Sequence, residues 1–161
     1  MASPIAIVDS CVYIELFRHG HFRERLEELP RLVRHSAVVL SELRRGATER
    51  RELRWIDELE ANARVFSPGV REWRRSGEIL AALRRARTYD SQGLRDLHFD
   101  ALIALTARAV GAVVITCNGD DFADIRRYED FDLEVWPAPA RSPVPPPPSG
   151  ARRKGARPRS S

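Results

Sequence analysis

The stretch Ile5-Ala6-Ile7-Val8-Asp9-Ser10 decides how the rest of the chain is read. Pro4 precedes it, three of its four apolar residues are β-branched, and a carboxylate follows with no spacer. A short apolar run bounded this way reads as a strand buried on both faces.

Outward from there, similar runs recur. Ala37-Val38-Val39-Leu40 reads as a second buried strand, with Ser41 as N-cap of a helix opening at Glu42. Arg64–Phe66, Ala112–Thr116 and Leu133–Trp136 read as three more. Helical spacing fills the gaps. Cys11–Arg18 ends at Gly20, and Phe22–Leu29 sets Phe22, Leu26 and Leu29 on one face before Pro30. Thr48–Asn62 turns Leu53, Ile56 and Leu59 inward. Val70–Arg87 carries Trp73, Ile79, Leu80 and Leu83, a set that reads as core or dimer contact rather than a base-stacking platform. Leu97–Val110 is apolar and closes at Gly111. Tyr89–Arg95 reads as a loop and Asn118–Phe122 as a polar turn. Strands alternating with helices at this spacing call for an α/β fold with a parallel sheet and helices on both faces.

The 161 residues suffice for one domain with an adequate core. From Pro137 the composition changes: eight of eleven prolines lie in 137–161, with six basic residues and no acid. That segment is expected to be a disordered tail with a polyproline II stretch, leaving 1–136 as the folded domain. The net charge of +4 therefore belongs to the tail, since 1–136 holds 21 basic and 23 acidic residues. No apolar window is long enough to span a membrane and no secretory signal is visible, so a cytoplasmic protein is expected. Cys11 and Cys117 belong to no CxxC pair or cysteine–histidine cluster, and no redox role is expected of them.

Four acids stand where apolar runs give way: Asp9, Glu42, Asp100 and Asp121. Each has an ordinary explanation alone. Asp9 could cap a helix, Glu42 could serve a helix dipole, and Asp121 could sit in a solvated turn. Asp100 is harder to dismiss, because Phe99-Asp100-Ala101-Leu102-Ile103-Ala104-Leu105 is otherwise apolar and an unpaired charge there is costly. In a parallel α/β sheet the strand C-termini share one rim where ligands bind. Carboxylates gathered at that rim repel unless a cation neutralises them. With oxygen donors and no histidine or thiolate cluster, the cation class is Mg²⁺ or Mn²⁺.

The order Ile7-Val8-Asp9-Ser10, Ser41-Glu42-Leu43-Arg44-Arg45-Gly46, His98-Phe99-Asp100-Ala101-Leu102-Ile103-Ala104 and Thr116-Cys117-Asn118-Gly119-Asp120-Asp121-Phe122 resembles the PIN-domain family. Within it, the VapC-type ribonuclease toxins are the nearest look, over about residues 5–136. The resemblance implies a three-layer α/β/α fold with sheet order 3-2-1-4-5 and a Mg²⁺- or Mn²⁺-dependent endoribonuclease leaving 5′-phosphate and 3′-hydroxyl ends. It makes Asp9 and Asp100 the principal metal ligands, Glu42 and Asp121 the rest of the acidic pocket, and Thr116 and Asn118 the polar pair that orients it. It also implies an RNA substrate, a cognate antitoxin and a homodimer.

Some positions stay open. Asp120 competes with Asp121 for the fourth acid, and Asp96 lies one turn before Asp100 as a helix N-terminal acid. Asp9 as the covalent nucleophile of a different phosphohydrolase would want a second Asp at position 11, which is Cys11. His98 and Asp100 are two residues apart on a helix and face apart, which disfavours a general-base pair. Arg44 and Arg45 could hold RNA phosphates or form a solvated face. A catalytically weak PIN-like RNA-binding or assembly module is the alternative function.

Overall fold

The structure is a computed structural model that describes residues 3–86 and 90–140. Five strands form one sheet: β1 (Ile5–Val8), β2 (Leu32–Ser36), β3 (Val65–Phe66), β4 (Ala112–Thr116) and β5 (Leu133–Val135). Their spatial order is β3-β2-β1-β4-β5, and every neighbouring pair is parallel. Seven helices lie between them among the described residues: α1 (Ser10–His19), α2 (Arg23–Glu27), α3 (Ala37–Gly46), α4 (Arg50–Asn62), α5 (Val70–Ala86), α6 (Ser91–Ala109) and α7 (Gly119–Arg126). From β1 the chain winds outward through β2 to β3, then returns past β1 to β4 and β5. Right-handed crossovers therefore put the helices of the two halves on opposite faces. The expected three-layer fold and its strand order are both present.

The sequence expectations fail at particular places. Ala37-Val38-Val39-Leu40 is not a strand but the first turn of α3, capped by the Ser36 hydroxyl accepting from Val38 N at 3.2 Å. Ser41 caps nothing. The second strand is instead Leu32–Ser36, whose polar members are provided for: buried His35 Nδ1 stands 3.0 Å from the Tyr13 hydroxyl. A short apolar run does not distinguish a buried helix turn from a buried strand, and here Val38, Val39 and Leu40 are buried on a helix. Of the expected loop Tyr89–Arg95, Tyr89 lies outside the described residues and Ser91 to Arg95 are helical: Asp90 caps α6 by accepting from Gly93 N at 2.7 Å. Asp96 thus lies in the second turn of α6. The turn expected at Asn118–Phe122 opens α7.

One inward assignment also changes: Leu53 is 40% exposed, whereas Ile56, Ile79 and Leu83 are buried as expected; Trp73, read as core or dimer contact, is 49% exposed. The last strand stops at Val135, and buried Trp136 follows it with its indole N–H donating to Glu134 at 2.8 Å. Residues 137–140 form no regular element, and the rest of the expected tail lies outside the described residues.

The core is continuous across the sheet, from Ala6, Ile7 and Val8 on β1 to Val114 and Ile115 on β4 and the buried side of α6. Leu97 to Ala107 of α6 includes nine buried positions, the pattern of a helix packed nearly all round. Gly111 leaves that helix at φ 66°, a conformation glycine adopts without strain, and so turns the chain into β4. On the far side Glu129 accepts from Arg75 Nε at 2.7 Å and pairs with Arg108 at 2.6 Å, fastening α5 and α6 to the segment after α7.

Candidate metal centre

The strand order reverses between β1 and β4, whose register pairs Val8 with Ile115. The crevice beyond the strand C-termini at such a reversal is the usual ligand site of an open parallel sheet. Asp9 stands there because β1 ends at Val8 and α1 begins at Ser10. It is 4% exposed, and it is also the α1 N-cap: Oδ1 accepts from Ser10 N at 2.8 Å. Its other oxygen accepts from the Thr116 hydroxyl at 2.7 Å and from the Cys11 thiol at 3.4 Å.

Thr116, fully buried at the end of β4, continues the chain of contacts. Its Oγ1 accepts from Asn118 N at 3.0 Å, and Asn118 Nδ2 donates to Asp121 Oδ2 at 2.6 Å. Asp9 and Asp121 are thereby tied to one another through Thr116 and Asn118. Asp100 enters from the middle of α6, 9% exposed, and Glu42 from the second turn of α3. Glu42 therefore reaches the site from a helix, as expected, but from its second turn and not from its opening residue.

The charges respond to one another. Burial, and then the charges of Asp9, Asp121, Glu42 and Asp96, push the Asp100 carboxyl up to about 9. Burial and the charge of Asp9 raise Glu42 to about 7, with the Ser10 hydroxyl and Arg45 pulling the other way. Burial also lifts Asp9 above the ordinary carboxylate range, against the opposing hydrogen bonds from Thr116, Ser10 and Cys11. Asp9, Glu42 and Asp121 thus all lie near enough to Asp100 for their charges to act on it. Asp121, half-buried, acts on Asp100, whereas Asp120 points to solvent. Asp96 contributes charge from an exposed position, and accepts from Gln92 at 3.0 Å.

His98 belongs elsewhere: its Nε2 is 3.1 Å from Ser76 Oγ and its ring packs edge-on against Trp73. Arg44 is engaged by Asp57 and Glu60 at 2.8 and 2.6 Å, while Arg45 lies over the Phe99 ring. Sequence reasoning missed Ser10, whose hydroxyl moderates both Asp9 and Glu42, and gave no role to Cys11, which contacts Asp9. Their only signal was their place at the β1–α1 junction.

One atom tests whether a cation suits these residues. Glu42 Oε2 is buried and has no hydrogen-bond partner. A buried carboxylate oxygen without a donor costs about 1–3 kcal/mol or more, and a cation supplies what it lacks. The donor set is all oxygen, the chemistry of Mg²⁺ or Mn²⁺. As they stand, however, no three His, Cys, Asp or Glu side chains among the described residues are gathered closely enough to hold an ion. The chemistry fits; closer approach of the carboxylates would have to accompany binding.

Comparison with known proteins bears on the same frame. A search of curated proteins finds no match to this chain. Among solved structures it is similar to DNA-bound VapBC from Salmonella typhimurium, at 25% identity and TM-score 0.62, covering 84% of this chain and 99% of that one. VapBC-1 of nontypeable Haemophilus influenzae is 23% identical with TM-score 0.61, covering 82% and 98%. VapC20 of Mycobacterium tuberculosis, a toxin that cleaves the sarcin-ricin loop, is 21% identical with TM-score 0.56, covering 73% and 93%. The family model described as PIN domain matches residues 6–128, a span that runs from β1 through α7 and takes in all four acids. By that match, the chain belongs to the PIN-domain family.

Proposed function

We propose that the protein is a divalent-metal-dependent endoribonuclease and the toxin of a toxin–antitoxin pair. The observation that carries this is the buried, mutually repelling carboxylate group at the β1/β4 crevice, with Glu42 Oε2 unpartnered inside it. Such a group is costly to maintain without a cation to hold. Similarity to VapBC structures supports the toxin reading and an antitoxin partner. The nuclease unit is assigned to residues 1–136, and the substrate to RNA.

Asp9 and Asp100 would hold a Mg²⁺ or Mn²⁺ ion, with Glu42 and Asp121 completing the shell directly or through water. When bound, the ion would acidify a water and stabilise charge on the attacked phosphodiester. The protein's own part is positional. Thr116 holds Asp9 Oδ2, Asn118 holds Asp121, and the Ser10 N–H fixes Asp9 Oδ1. Glu42, titrating near neutrality, is the acid able to accept a proton from a water at the site. A homodimer remains part of the proposal through the family resemblance alone.

A second reading, a catalytically weak RNA-binding or assembly module, draws on the wide spacing of the carboxylates noted above. One experiment separates them: purified protein is incubated with RNA and Mn²⁺, beside Asp9→Asn and Asp100→Asn. The nuclease reading expects products from the wild type and losses beyond about 100-fold in each variant. RNA binding in EDTA with no products under any metal would leave the second reading standing.

A further inference from the structure

Both cysteines of the chain meet at this crevice. Cys11 stands in the first turn of α1, just past the end of β1, and Cys117 directly follows β4, the strand paired with β1. Cys117 N donates to Cys11 Sγ at 3.0 Å, which brings the Cys11 sulfur up to the backbone of Cys117. Both residues are half-buried, so a small oxidant has access to them. Cys11 Sγ also lies 3.4 Å from Asp9 Oδ2 and 3.5 Å from Thr116 Oγ1. The pair is therefore wired directly to the carboxylate at the end of β1.

We propose that Cys11 and Cys117 are a peroxide-sensitive pair whose disulfide disables the acidic pocket. The oxidant is hydrogen peroxide. The Cys117 sulfur attacks one peroxide oxygen, the O–O bond breaks, and the thiol's proton leaves with the departing hydroxide as water, giving a sulfenic acid. The Cys11 sulfur then attacks that sulfur, the S–O bond breaks, and the Cys11 proton leaves with the hydroxide as a second water. Two thiols and one peroxide become one disulfide and two waters, the sulfurs being oxidised and the peroxide oxygens reduced.

Bond formation removes the S–H that Cys11 directs at Asp9 and draws its sulfur toward the β4–α7 junction. That junction carries Asn118 and Asp121, so the disulfide pins α1 to the segment that positions the fourth acid. The consequence for the cation rests on the metal-site reading above; formation of the bond does not.

The test treats the full chain with hydrogen peroxide, then removes the oxidant with catalase. Intact mass and thiol alkylation are read first, then Mn²⁺ binding by titration calorimetry. The proposal expects a 2 Da loss, a monomeric cross-link between Cys11 and Cys117 on peptide mapping, and about 10-fold weaker Mn²⁺ binding restored by dithiothreitol. Cys117→Ser, which keeps the backbone N–H to Cys11, should bind Mn²⁺ as the untreated protein does and be indifferent to peroxide. Two thiols still alkylated after treatment, or sulfinic acids without a cross-link, would overturn the pair. A disulfide that forms while Mn²⁺ binding stays unchanged would overturn its effect on the pocket. Wild-type protein that binds no Mn²⁺ even when reduced would overturn the metal reading and this coupling with it, and the mass would still report the pair.

Discussion

Asp100 carries a pH dependence with a definite sign. Its folded value of about 9 stands above the ordinary 3.8, so between those values the folded state holds a proton that the unfolded state has released. Metal-free protein should therefore be most stable, as far as this group is concerned, below about pH 4, and lose that contribution as pH rises toward 9. Thermal melts with EDTA from pH 5 to 9 should fall in midpoint, and Asp100→Asn should flatten the fall while raising the midpoint at pH 8. A variant that melts lower than wild type at pH 8 would contradict the repulsion at Asp100. Thr116 works through Asp9. Thr116→Val keeps the shape, removes the 2.7 Å donor, and should weaken Mn²⁺ binding about 10–100-fold with little change in fold, as circular dichroism would verify.

Among the elements, α3 teaches most about what the chain discloses. Its β-branched start, Val38-Val39, looks like a strand, and only the surroundings decide otherwise: β1 takes Leu32, Val33 and Arg34 as neighbours and leaves Ala37 onward to coil. Asp9, Thr116 and the apolar setting of Asp100 were legible because β1 and β4 carry uninterrupted apolar runs and Asp100 alone breaks the one in α6 from Phe99 to Leu105. Glu42 was recognised as an acid of the site and put on a helix, but at that helix's opening and not in its second turn, because Ala37 to Leu40 read as a strand. The α6 start was missed because Ser91 to Asp96 is polar and its cap, Asp90, is an isolated signal. At this scale Ser36→Ala should cost about 1 kcal/mol by removing the α3 N-cap, measured in urea unfolding. A loss near zero would mean that the cap does not anchor the helix that carries Glu42.

For the molecule as a whole, the sequence places charge unevenly: the last 25 residues hold six basic residues and no acid, and the remainder is slightly acidic. Phosphate contacts by such a segment add affinity that falls with salt. Truncation after residue 140 should weaken RNA binding at low salt and flatten its dependence on salt concentration. Equal slopes for the two proteins would assign the tail no part in RNA binding. The fold itself depends on the buried side of α6 against β4, and Ile103→Ala should cost about 2–5 kcal/mol in the same unfolding assay.

The convergence of four carboxylates on one cation is the claim beneath all of this. Mn²⁺ titration calorimetry at pH 7, run on wild type and on Asp9→Asn/Asp100→Asn, addresses it without RNA. Wild type should bind Mn²⁺ and release protons as Asp100 and Glu42 ionise, and the double variant should show no binding at the same concentrations. Equal affinity and equal proton release in the two proteins would place the ion somewhere else.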